Sequence, residues 1–136
     1  MFIKWNESYS VGIAKLDEQH QQLIEMLNQL YQEIGPEIER NKVWPLLDAF
    51  NRYADTHFRF EERLAREHAL PQNLFLAHRA EHEGYCVRLA QLQHNFNQGD
   101  RHAPIQLMSF LSNWWLSHIL VSDMELGKLL QECGVS

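Results

Sequence analysis

Four stretches of this chain space their apolar residues in alternating steps of three and four. Each stretch carries histidine, and one carries glutamate as well, in slots where a buried helix face wants leucine. The stripes read Leu16, His20, Leu23, Leu27, Leu30, Ile34; then Leu47, Phe50, Ala54, His57, Glu61, Leu64; then Phe75, His78, His82, Tyr85, Leu89, Leu92, Phe96; and last Leu107, Leu111, Trp114, His118, Val121. Such spacing gathers side chains on one side of an α-helix, and no alternating strand pattern competes with it. Gly35-Pro36, Leu70-Pro71 and the run Asn97-Gln98-Gly99-Asp100 separate the stripes. Pro45 and Pro104 fall where a first helical turn tolerates proline, and Gly134 reads as a final stop.

The expected fold is all-α, an antiparallel up-down-up-down four-helix bundle with an N-terminal arm. A single domain over 1–136 is expected, with the arm at about 1–15 and helices at about 16–35, 42–67, 72–97 and 103–132. Phe2, Ile3 and Trp5 of the arm should fold back against an outer surface.

At 136 residues the chain can bury a real core without disulfide staples. Cys86 and Cys133 stand alone with no CxxC, as expected of reduced thiols in a cytoplasmic protein. A net charge of −6 argues against nucleic acid as a partner. No apolar run approaches the roughly 18 residues of a membrane span, and the first residues lack the apolar region of a signal peptide.

A buried imidazole or carboxylate without a partner costs about 1–3 kcal/mol or more. Six of them on four helices would consume most of a stability of about 5–15 kcal/mol. Antiparallel packing brings the start of the first helix, the end of the second and the start of the third to one end of the bundle. The middle of the fourth passes alongside. The polar groups therefore converge, and something must bind them. Imidazoles with carboxylate support suit iron, zinc, copper or nickel better than the oxygen-seeking magnesium or calcium. The donors are too many for one tetrahedral zinc, and two metals sharing bridging carboxylates is the economical answer. The Glu-x-x-His pairs of ferritin-like bundles are absent, and so is HExxH. Cys86 reads as a packing residue.

The series HxxxE (His57, Glu61), HxxxH (His78, His82) and HxxxxD (His118, Asp123), preceded by His20, resembles the hemerythrin family, and most of all its single-domain bacterial members. Trp5, Asp17-Glu18-Gln19-His20, His57 through Glu62 and Trp114 through Ile119 extend the resemblance over nearly the whole chain. It implies a centre of two iron ions, with His78, His82 and His118 on one and His20 and His57 on the other. Glu61, Asp123 and an oxo or hydroxo group would bridge them. Asp123 comes from the resemblance alone. Five residues past His118 it is rotated roughly 140° on a regular helix, and Glu125 lies nearer the histidine face.

The resemblance further implies reversible dioxygen binding, for transport or storage, at the one coordination position left on the His20–His57 iron. The protein would then be a monomeric oxygen-binding protein and not an enzyme. Leu23, Phe58, Trp114, Trp115 and Ile119 match the family's oxygen pocket, with Trp115 standing where the family commonly has leucine. Alternatives are a di-iron enzyme acting on peroxide or nitric oxide, and an oxygen or redox sensor module. Iron storage is disfavoured. His68, His94 and His102 are expected to stay off the metals, while Glu62, Glu81 and Glu83 are read as solvated or as groups orienting imidazoles.

Overall fold

The computed structural model describes residues 3–34 and 40–136, so Phe2 and the Gly35-Pro36 break lie outside the described residues. A short 3₁₀ turn, Glu7–Tyr9, leads into helix α1 (Ala14–Glu33). Then come α2 (Arg40–Glu67), α3 (Gln72–Asn97) and α4 (Ala103–Ser117). A π turn, His118–Asp123, follows α4 directly, and α5 (Met124–Glu132) carries the last helix to its end. Consecutive helices pack side by side, and α1 also meets α4, which closes a four-helix bundle.

The helix ends explain the tight connections. Leu70, Asp100 and Val135 each donate their N–H to the carbonyl five residues back, with Ala69, Gly99 and Gly134 in the left-handed conformation. This pairs carbonyls that a helix end otherwise leaves open. Pro104 sits in the first turn of α4. Pro45 does not occupy a first turn, because α2 already runs from Arg40, so it lies inside the helix without an N–H to donate.

Two apolar clusters fill the interior. The larger contains Leu23, Leu27 and Leu30 of α1, Leu47, Phe50 and Phe58 of α2, Tyr85, Leu89, Leu92 and Phe96 of α3, and Leu107, Leu111 and Trp115 of α4. The smaller gathers Val11, Ile13, Leu16, Leu64, Ala65, Leu126 and Leu130. Helices α1 and α2 pass from one cluster to the other, α3 reaches the smaller one through half-buried Leu74 and Phe75, and α4 continues into it as α5, with the stripe histidines at the crossing. Leu16 and Leu23 flank His20, Phe58 and Leu64 flank Glu61, and Trp115 and Leu126 flank His118 and Asp123. A polar layer thus lies between two dry ones.

The arm docks where its apolar residues demand. Ile3 is buried, donating its N–H to Asn28 Oδ1 at 2.9 Å and accepting from Asn28 Nδ2 at 2.8 Å, while Trp5 packs on the larger cluster. Val11 presses on α5 so closely that a Cβ at Gly127 would collide with the Val11 carbonyl oxygen. Only glycine fits there.

The expected stripe fails in one place. Val121 is 66% exposed, and the buried positions after His118 are Ile119, Asp123, Leu126, Gly127 and Leu130. The π turn causes this slip. Its wider i→i+5 winding holds an extra residue, so everything beyond it is shifted by about one position relative to a regular helix.

Candidate metal centre

The same winding brings Asp123 to the site. With i→i+5 pairing, a residue five positions on returns towards the face it would leave in an α-helix. Asp123 is fully buried, and Glu125, the alternative on a regular wheel, is exposed. The carboxylate of Asp123 divides its oxygens. Oδ2 lies 2.8 Å from His20 Nε2 and 3.8 Å from His57 Nε2, while Oδ1 lies 2.9 Å from His78 Nε2 and 3.1 Å from His118 Nε2.

Glu61 sits across from it, one turn beyond His57 on α2. Its Oε1 is 3.0 Å from His57 Nε2, 3.3 Å from His118 Nε2 and 3.6 Å from His82 Nε2, and its Oε2 is 3.3 Å from His78 Nε2. The donors fall into two sets whose atoms lie within 4.8 Å of one another: Glu61, His78, His82 and His118, and His20, His57, Glu61 and Asp123. Glu61 belongs to both. The structure therefore brings together all seven residues that the sequence singled out.

The outward ring nitrogens show why the inward ones are available. His57 Nδ1 donates to Gln19 Oε1 at 2.7 Å, His82 Nδ1 to Glu62 Oε2 at 2.9 Å and His118 Nδ1 to Glu81 Oε1 at 2.8 Å. Each bond fixes the tautomer and turns the Nε2 lone pair to the centre. His57 Nε2 and His82 Nε2 are buried with no hydrogen-bond partner. Ring nitrogens without a well-formed hydrogen bond, set beside two buried carboxylates, fit divalent cations. Of the acidic residues expected to be solvated or to orient imidazoles, Glu62 and Glu81 hold rings, while Glu83 pairs with Arg79 on the surface. Gln19, and Ser122, which donates to both Glu81 oxygens at 2.9 and 2.7 Å, support the site without a signal of their own in the helical spacing. Neither belongs to a stripe, and only the fold shows what they touch.

Electrostatics point the same way. Burial pushes the Glu61 carboxyl up, as does Asp123 beside it, yet His57 and His118 hold it below the ordinary range. Burial likewise opposes ionisation of Asp123, but His118 and the bonds it accepts hold it well below. Burial lowers His57 and His78, and the two carboxylates outweigh it to raise both to about 9. His82 is lowered, by burial first. Without metal, protons on the imidazoles balance the carboxylates; cations can replace them.

Of the expected pocket residues, Leu23, Phe58, Trp115 and Ile119 are buried in the larger cluster. Phe58 stacks on His82 and on Trp115, with centroids 4.0 and 5.2 Å apart. Trp115 lies 5.9 Å from both His57 and His118, tethered by Nε1–H donating to the Tyr85 hydroxyl at 3.2 Å. Trp114 is half-buried and stacks on His118, 4.5 Å away, at the wall of a surface groove. His68 is half-buried and His94 and His102 are exposed, none of them in either donor set.

The model of the hemerythrin HHE cation-binding domain matches residues 11–130. A bacteriohemerythrin of Stenotrophomonas maltophilia is 33% identical over 119 residues, covering 88% of this chain and 75% of the relative. One from Methylococcus capsulatus is 30% identical, covering 89% and 88%. A crystal structure of wild-type hemerythrin superposes with a TM-score of 0.82 at 26% identity, over 96% of this chain and 98% of its own. The chain belongs to the hemerythrin family, with a buried histidine–carboxylate cluster suited to metal.

Proposed function

We propose that the protein holds two iron ions and binds dioxygen reversibly, as a carrier or store. In this reading His78, His82 and His118 hold one iron, His20 and His57 the other, and Glu61 and Asp123 are shared. The observation that carries it is the unequal split of imidazoles, three against two, around Glu61, which belongs to both donor sets, and Asp123, whose two oxygens face His20 on one side and His78 and His118 on the other. With both carboxylates shared, the half-site that has two imidazoles in place of three leaves room for a small exogenous ligand. An iron pair held by these residues would supply reversible two-electron chemistry toward dioxygen.

The chain's own contribution is to hold and to exclude. Gln19 fixes the His57 ring. Leu23, Phe58, Trp115 and Ile119 expose between 1% and 4% of their surface, so they form a wall that denies water to the ligand. Trp115 cannot swing freely while its indole N–H is held by Tyr85. Burial raises the Tyr85 phenol well above its ordinary range, so it stays protonated and accepts that bond. Cys86 is exposed and not the packing residue expected, and with Cys133, also free and exposed, it fits a reducing cytoplasm; no described helix is long and apolar enough to cross a membrane.

Absorption spectra of the reduced protein before air, after air and again under vacuum test this reading. A charge-transfer band that appears with oxygen and vanishes under vacuum is the expected result. Irreversible oxidation, or turnover of peroxide or nitric oxide in place of reversible binding, would overturn it.

A further inference from the structure

The five imidazoles are not held alike. His118 and His82 lean on carboxylates, Glu81 and Glu62. His57 leans on the neutral amide of Gln19, and His20 Nδ1 is buried with no hydrogen-bond partner. An anionic partner behind an imidazole makes it a stronger donor, and losing such a partner typically costs about 10–100-fold in metal affinity. The shared carboxylates do not cancel this difference. Asp123 turns one oxygen to each side, and Glu61 lies within 3.0 to 3.6 Å of imidazoles on both.

Access differs as well. A groove of about 660 Å³ between α2 and α3 is lined by His82 and Glu62, with Arg59 and Arg79 on its walls. Those guanidinium groups are paired with Asp55 and Glu83, at 3.1 and 3.2 Å. His20 and His57 are wholly buried.

We propose that cations arrive along this groove, fill the His78–His82–His118 half-site first and are held more tightly there, while the His20–His57 half-site fills second and empties first. The protein then has a stable one-metal form. This rests on the two-metal reading above, and it makes Glu62, Glu81 and Gln19 positioning residues that rank the half-sites.

The test is to equilibrate the metal-loaded protein with graded EDTA and count metals per chain by native mass spectrometry. Two separate losses with a one-metal plateau are expected. Glu81→Gln should move the second loss to lower EDTA, by about 10–100-fold in affinity, and leave the first in place. Gln19→Glu should move the first loss to higher EDTA and shorten the plateau. Loss of both metals in a single step overturns the ranking while leaving two-metal binding intact. The ranking also falls if Gln19→Glu moves the second loss instead of the first. A protein that never carries more than one metal overturns this proposal and the two-metal reading together.

Discussion

The larger apolar cluster and the polar layer beside it are built on the same four helices with the same spacing, yet they are completed differently. Leu27, Phe50, Leu92 and Leu111 need only each other, because burying their surface is itself the gain. His20, His57, Glu61 and Asp123 are fully buried too, and their packing leaves ring nitrogens without a hydrogen-bond partner and carboxylates whose charge only bound protons or cations balance. One region is finished by folding, the other by a guest. Glu61→Ala probes this contrast most severely. It should lose at least one metal and cost about 3–5 kcal/mol, since it strands imidazoles around one remaining carboxylate. Metal analysis beside a denaturant titration reads both effects, and unchanged metal content would break the comparison.

Leu111→Ala is the counterpart in the dry region. A cost of about 2–5 kcal/mol is expected, with the metal count unchanged. Loss of metal would mean that the two regions are one cooperative unit.

Acidity separates them next. In the metal-free chain, His57 and His78 titrate near 9 against 6.5 in the unfolded state. A raised folded value contributes stability that is present below 6.5 and lost as pH rises through about 9. The melting temperature of the metal-free protein should therefore fall over that window, while the loaded protein stays flatter because cations stand where the protons stood. Parallel curves would show that protons do not substitute for metal.

Smaller effects are expected where the regions touch. Leu23→Asn or Ile119→Asn should keep both metals yet autoxidise several-fold faster, because a wetted wall stabilises charge separation at the ligand. A rate equal to wild type would place oxygen elsewhere. Trp115→Leu should change oxygen association and dissociation rates together by a few-fold. Unchanged rates would leave Trp115 a packing residue only.

Much of this contrast is legible in the sequence because it follows helical periodicity. A period of 3.6 places His57 under Glu61 and His78 under His82, and the breaks set the helices antiparallel. What periodicity cannot show is a change of period. Asp123 falls off any regular wheel, and Val121 falls on it wrongly, for the same local reason. Gln19 and Glu81 lie outside the stripes and are defined by partners 38 and 37 residues away, a relation that only packing creates.

The π turn also bears on how such a site arises and is kept. Removing one codon between His118 and Asp123 would leave a histidine and a carboxylate four apart, the spacing α2 already uses for His57 and Glu61. Leu126 and Leu130 would then continue an ordinary helical stripe behind them. A single in-frame insertion or deletion is thus a small step between a regular helix and this one, with both flanks in register.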